Sequence, residues 1–399
     1  MKFNWITLIF IISASGSNAS CLMDRSPRLK SFVGRVVELP LNSESFTKNM
    51  AQTRNEIKLL EYNKIINDTT LDFGRSLSEH ENSLTLSSDF SIWKQKTAIK
   101  PIEAEINLKS EDERGFKNDA YFELTSAIFS ILTSDEYIRV FELRERTYKD
   151  LLKYYQDRID MGSDEFQKKL KVEQDLIILA NKMISAQIKS ATLLFQNNLT
   201  RSDLATFHFF SPEFSEKKYS CNEKIPSIHK LDLQIALLNA QLKDALMSYA
   251  PDLVGSITKT WDDKGYQDLS AAIKLNLTIY KGNKRSKQIQ NIRSQILNLE
   301  LERNFLEKEF KSSLDERIEI DKILLKSKEA TIQKIKDKEE SLSKLKLKSE
   351  LGGAVFEEKT QLLLEISMLN EALIAITADF VSSWLKLFHS RGMFNNVSE

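Results

Sequence analysis

Two short stretches, Gly162-Ser-Asp-Glu-Phe166-Gln-Lys-Lys169 and Gly352-Gly-Ala-Val-Phe356-Glu-Glu-Lys359, decide how this chain folds. Gly162 corresponds to Gly352, Phe166 to Phe356 and Lys169 to Lys359, each at an offset of 190 residues. A glycine after a long amphipathic pattern is a helix stop, because it enters the left-handed backbone region without strain. Here a new amphipathic pattern begins directly after each stop. A fixed offset between such marks is the signature of an internal duplication.

The pattern before Gly162 places apolar residues at Leu124, Ile128, Ile131, Ile138, Phe141, Tyr148, Leu152, Tyr155 and Ile159. Steps of three and four, or their sums, make the stripe of a packed helix. Phe166, Leu170, Leu176, Leu179, Met183, Ile184 and Ile188 continue it beyond the turn. The second copy runs through Ile289, Ile292, Ile296, Leu299, Leu306, Phe310, Leu314 and Ile318 to Leu345. After Gly352 and Gly353 it resumes with Phe356, Leu362, Ile366, Leu369, Leu373, Ile376 and Phe380. Spacing near 3.5 held for so long predicts coiled-coil packing, hence two antiparallel helical hairpins. Lys284 to Glu350 would span about 100 Å as one unbroken helix at 1.5 Å per residue.

Ahead of each hairpin the period changes to two. Leu269, Ala271, Ile273, Leu275, Leu277 and Ile279 alternate with polar or small residues, the mark of a half-exposed strand. Leu253 to Trp261 is its expected partner, joined through Asp262-Asp263-Lys264-Gly265. In the first copy Leu84, Leu86, Phe90 and Ile92 alternate, preceded by Leu71, Phe73 and Leu77 and joined through His80-Glu81-Asn82. Trp93 and Tyr280 close the two patterns at an offset of 187. Each half therefore reads helix, β-hairpin, long helix, glycine turn, long helix.

Composition agrees with this reading. The 399 residues include only 11 Gly and 6 Pro, too few backbone breaks for many short strands and tight turns. Charged residues make up 29% of the chain, enough for long solvated helical faces. The 57 Lys and Arg balance 57 Asp and Glu, which argues against a nucleic-acid partner, whose binding rests on phosphate neutralisation. His80, His208, His229 and His389 lie far apart without ligand spacing, so no metal site is expected. No phosphate-binding glycine loop, nucleophile elbow or paired catalytic motif is present, so neither an enzyme nor a cofactor is expected.

Residues 1–19 have the form of a signal peptide: Lys2, an apolar run from Trp5 to Ile12, and Ser17-Asn18-Ala19 at the cleavage point. Cys21 and Cys221 are the only cysteines. In an exported chain a disulfide is the default expectation, while Cys21, just beyond the cleavage point, also suits the acylated first residue of a bacterial lipoprotein, although Asn18 stands where such sites usually carry Leu. Asn67, Asn198, Asn276 and Asn396 head Asn-x-Ser/Thr triplets, acceptors only in a eukaryotic secretory setting.

This order, duplicated in an exported chain, resembles the TolC family of outer-membrane efflux and secretion channels. The resemblance rests on Pro251-Asp252-Leu253 at the start of a strand, on Leu277-Thr-Ile279-Tyr280-Lys-Gly282-Asn-Lys284-Arg285 at a strand exit, and on the turns at Gly162 and Gly352. It covers about residues 45 to 390. The first copy departs from it, with no Pro before Leu71 and no Gly after Trp93. The resemblance implies a mainly α chain with a minor β part: a duplicated β-hairpin plus coiled-coil hairpin that forms an α-helical tunnel and, as a homotrimer, a twelve-stranded β-barrel. It also implies an outer-membrane location reaching into the periplasm, contact with outer-membrane lipid, and work with a periplasmic adaptor and an inner-membrane transporter of RND, ABC or MFS type, in efflux or type I secretion. Trp93, Trp261, Tyr266 and Tyr280 would supply the barrel's interfacial aromatics. Gly162, Phe166, Gly352, Phe356 and Glu358 would form the periplasmic tip, although the next acidic gate position of the family holds Gln361. In that architecture Cys21 and Cys221 would both fall near the middle of the tunnel.

The expected divisions follow. Residues 1–19 are the signal peptide, 20–70 an N-terminal segment and first helix, 71–93 the first barrel hairpin and 94–205 the first helical hairpin. Residues 206–227 link the repeats, 228–252 lead into the second copy, 253–280 form its barrel hairpin, 281–390 its helical hairpin and 391–399 a tail. Two local readings stay open. Glu357 and Glu358 could select ions at a tunnel mouth or could simply favour a helix's first turn. The cluster Lys281, Lys284, Arg285 and Lys287 could meet lipid, line a pore or be a solvated helix start. The competing architecture is a periplasmic coiled-coil adaptor, which two strand-preceded hairpins disfavour.

Overall fold

The computed structural model describes residues 27–37, 39, 44–65, 69–75, 81–89, 92–210, 225–247, 252–262, 267–276, 284–350 and 355–394. In chain order the elements are α1 (Pro27–Val37), α2 (Glu44–Ile65), β1 (Thr69–Arg75), β2 (Glu81–Asp89), α3 (Ile92–Asp160) and α4 (Phe166–Gln196). They continue with α5 (Pro226–Met247), β3 (Asp252–Asp262), β4 (Gln267–Asn276), α6 (Lys284–Glu350) and α7 (Phe356–Ser390). The duplication is visible element by element. α4 and α7 begin 190 residues apart, and β2 and β4 end 187 apart. The helices are long because nothing stops them: α4, α6 and α7 contain neither Gly nor Pro.

The chain divides into two compact units, and α3 and α6 contribute to both, changing unit near Lys117 and Ser312. One unit holds α2, α5, the ends of α3 and α6 nearest the strands, and all four strands. Its sheet is an antiparallel meander in the order β1-β2-β3-β4, so the β2–β3 pairing joins the two copies. Register aligns Leu71, Leu86, Ile257 and Ala271 in one row and Phe73, Leu84, Lys259 and Leu269 in the next. The rows between hold Asp72, Thr85, Thr258 and Ser270, then Thr70, Ser87, Ser256 and Ala272. By the two-residue period, a mainly apolar set, interrupted by Lys259, falls on one face and a hydroxyl-rich set on the other. Ion pairs Arg54–Glu113 (3.1 Å) and Lys109–Glu56 (2.7 Å) set α2 antiparallel to α3. Lys230–Asp112 and Arg303–Asp232 tie α5 to α3 and α6.

The other unit is built around an aromatic core of α1, α3, the segment after α4, and α7, containing Phe32, Phe129, Phe207, Phe380, Trp384, Phe388 and Phe394. Phe32 packs edge-on against Phe129 and Phe207, with centroids 6.1 and 5.5 Å away. Contacts between Asp135 and Ser190, then Lys182 and Phe141, then Lys168 and Tyr155 run α4 antiparallel along α3. Asn118 to the His389 carbonyl, Arg144–Glu371 and Tyr155–Glu357 run α7 antiparallel along the part of α3 from Asn118 to Tyr155. Lys338–Glu365 pairs α6 with α7.

Two expected boundaries shift. The first β-hairpin occupies 69–89 rather than 71–93, and Ile92 and Trp93 open α3. Two apolar residues spaced by two fit a strand end or a helix start, and the alternation had already broken at Ser87-Ser88-Asp89. The linker is also shorter than 206–227 suggests, because Phe207 is buried in the core and Phe209 and Phe210 pack against it. Residues 211–224, including Cys221, lie outside the described residues, as do Cys21, Pro251, Tyr266, Tyr280, Gly282, Gly352 and Gly353.

Candidate functional site

The first glycine turn is a helix C-cap built on backbone geometry. Gly162 has φ +89°, its N–H donates to the Ile159 carbonyl (2.8 Å), and the Ser163 N–H donates to the Arg158 carbonyl (3.0 Å). These paired 5→2 and 6→1 bonds form the Schellman motif, which needs a left-handed residue at the glycine position. A Cβ at Gly162 would meet nothing within 4 Å, so backbone strain alone selects glycine there.

Beside this turn the two helical hairpins are bound together. The Tyr155 hydroxyl donates to Glu357 Oε1 at 2.8 Å, and Lys168 Nζ reaches the same oxygen at 2.9 Å. Lys168 also lies over the Tyr155 ring at 5.6 Å, and Arg158 lies over Tyr154 at 5.7 Å. Lys168 and then Tyr155 hold the Glu357 carboxyl below the ordinary carboxylate range. Burial, reinforced by Glu357, pushes the Tyr155 phenol up, so the contact is a neutral donor and a lysine on a fixed anion.

The same arrangement recurs further along the helices. Arg144 Nη1 contacts Glu371 Oε2 at 2.7 Å, Lys182 Nζ contacts Glu371 Oε1 at 2.8 Å, and both cations lie over Phe141. Arg144 is buried, and its Nε donates to Ser367 Oγ at 3.0 Å. Burial pushes the Glu371 carboxyl up, but Lys182 and Arg144 outweigh it and leave it below the ordinary range. Lys168 and Lys182, Glu357 and Glu371, Tyr155 and Phe141, and Arg158 and Arg144 each stand 14 residues apart. The unit is thus a clamp repeated every two heptads, with one lysine from α4 and one glutamate from α7 meeting over an α3 aromatic ring. A shallow groove of about 840 Å³ borders the second clamp, lined by Tyr137, Phe141, Ile178, Lys182, Met368 and Glu371 among others.

Phe166 and Phe356 do not play equivalent parts. Both are exposed where they open α4 and α7, but only Phe356 packs on Tyr154, at 4.7 Å. Glu358 is exposed, and the clamp uses Glu357 instead. Trp93 lies in the first turn of α3, and Trp261 lies in β3 opposite Asn82 and Gln267. Tyr155, Lys168, Arg144, Lys182 and Glu371 are not distinguishable in the sequence as a site. Their 14-residue spacing is written there, but it acquires meaning only once the helix pairing is known.

Two surfaces are unfinished within one chain. Among the described residues β1 and β4 each pair on one side only. Ile257 and Leu269, on the apolar face of that sheet, are 51% and 70% exposed. In the other unit α4 exposes Leu170, Ile177, Ile184, Ile188 and Phe195, a stripe at heptad-like spacing. By length and composition α7 is the one described helix able to cross a membrane, and its Glu357 and Glu371 are engaged in the clamps above.

No family model and no curated protein matches the sequence. Solved structures do. The outer-membrane channel CmeC of Campylobacter jejuni matches with a TM-score of 0.69 at 10% identity, over 97% of this chain and 90% of that one. The outer-membrane protein VceC of Vibrio cholerae matches with 0.67 at 10% identity, over 94% and 99%. The open-state channel MtrE of Neisseria gonorrhoeae matches with 0.59 at 12% identity, over 92% and 89%. The chain has the fold of TolC-family outer-membrane channels.

Proposed function

We propose that this chain is one protomer of a homotrimeric outer-membrane channel, a passive conduit for export in a tripartite efflux or type I secretion system. The observation that carries this reading is the four-stranded meander with two unpaired edges and an exposed apolar face. Such a sheet cannot lie in hydrocarbon alone, because each edge strand would leave its backbone N–H and C=O groups without partners. Pairing β4 of one copy with β1 of the next removes the edges, and three copies of four strands make a barrel of twelve. The rows of Thr, Ser and Asp would then face a water-filled lumen, and the rows of Leu, Ile and Phe, which also carry Lys259, would face lipid.

The exposed stripe of α4 supports the same assembly, since a neighbouring copy would cover it. The helices would form a periplasmic tunnel whose tip carries the Gly162 turn and the Tyr155–Glu357–Lys168 clamp. That tip is where an adaptor would dock, with an inner-membrane transporter supplying the energy. Two clamps that tie α4 to α7 suit a passage held shut at rest and opened by separating the two hairpins.

Membrane fractionation, detergent extraction, mass determination and planar-bilayer conductance test the proposal together. An outer-membrane particle of three chains that conducts ions is the expected result. A soluble monomer or dimer, or a membrane trimer that never conducts, would sink it.

A further inference from the structure

Outside the clamps and the sheet, one charged side chain is buried without an adequate partner. Asp321, on α6, is 1% exposed in the unit that holds the aromatic core. Ser383 Oγ on α7 lies 3.5 Å from Oδ1, at the limit of a hydrogen bond, and the Arg317 guanidinium one turn earlier stands 3.9 Å from Oδ1. Neither Asp321 Oδ2 nor Arg317 Nε makes a hydrogen bond of good geometry. Trp384, 2% exposed, lies against the carboxyl from α7, and Leu324 and Leu325 on α6 pack against the same core. The nearby charged residues on α7, Asp379 and Lys386, are exposed to solvent. Arg317 is therefore the one charged group facing Asp321 among the described residues.

A carboxylate in such a place is costly when ionised and well accommodated when protonated, because the acid form can donate from Oδ2 and needs no counter-ion. We propose that Asp321 is an acid-responsive joint between α6 and α7, docking the two helices when it takes up a proton and loosening them when it loses one. Burial pushes its carboxyl up to about 6, with Arg317 the main opposing influence, followed by Ser383 and Trp384. The proton is thus bound more tightly in the folded chain than in the unfolded one. The stabilisation is complete below the ordinary aspartate range and is lost as pH rises through about 6. The joint lies away from both clamps in sequence and does not depend on the channel reading.

The test uses the full chain as purified, with hydrogen exchange of α6 and α7 followed at pH 5.0, 6.0 and 7.5 and corrected for intrinsic rates. Wild-type protection around Asp321 and Ser383 is expected to fall about tenfold across this range, the part of a two-unit rise in the carboxyl's proton affinity that lies between pH 5.0 and 7.5. Asp321→Asn, which mimics the neutral acid in shape, should abolish that fall and leave α6 protected at pH 7.5. Arg317→Gln, which retains the carboxyl, should move the transition to higher pH. Parallel pH profiles for wild type and Asp321→Asn would overturn the joint. If Asp321→Asn fails to fold, an unchanged transition in Arg317→Gln would overturn it equally.

Discussion

Gly162 illustrates how a single residue controls a long element. Its φ of +89° costs an L-residue about 1 kcal/mol or more, although there is space for a methyl group. Gly162→Ala should lower the thermal midpoint by a few degrees without changing the secondary-structure content seen by circular dichroism. Glu357 carries a different kind of constraint. Its carboxyl is held below the ordinary range by Lys168 and Tyr155, so its contribution is present above that range and disappears as pH falls through it. Glu357→Gln should therefore be less stable than wild type near neutral pH, with the two unfolding midpoints converging below about pH 4. A gap that stays constant with pH would mean that Glu357 acts through packing rather than charge.

Among the elements, α3 and α7 both supply the aromatic core, while α4 leaves an apolar stripe open along one side. α3 touches α4 and α7, and α7 touches α3 and α6. The α4 stripe of Leu170, Ile177, Ile184, Ile188 and Phe195 contributes little to this chain's own core. Ile177→Glu with Ile184→Glu should thus change the stability of the isolated chain by no more than about 0.5 kcal/mol per site while breaking its association with other copies. Denaturant unfolding of the isolated chain reads the first outcome and sedimentation of the detergent-extracted protein the second, and a fully assembled double variant would remove α4 from the proposed seam. Pro101 shows the opposite kind of element-level surprise. A proline inside a helix removes one hydrogen bond and costs about 3 kcal/mol, yet α3 continues through it from Ile92 to Asp160. Local propensity disfavours that continuity, and the rest of a 69-residue helix outweighs it.

At the scale of the whole molecule, the proposed closure into a ring would make the copies interdependent. A ring has no spare edge, so one defective copy leaves the sheet unpaired on one side. Equal co-expression of wild type with a variant altered only on the β4 edge, which still joins a neighbour through β1, should leave about one eighth of the conductance if three copies are required and one defect is enough. A residual near one half would indicate that copies act independently.

The sequence by itself determined the duplication, the helical hairpins with the turn at Gly162 and the alternating strands, because each is a local period or a backbone preference. It did not distinguish Glu357 from Glu358, since both are acidic and only the rotation of α7 about its axis decides which one meets Tyr155. Nor did it mark Arg144, Lys182 or Asp321, which look like any other charges on amphipathic helices until burial and partners are known. The short linker core at Phe207 to Phe210 was hidden for the same reason: an aromatic run without a period carries no local instruction about where it packs. Tertiary structure decided these matters because register and burial arise between helices distant in sequence, where no pattern within one of them can record them.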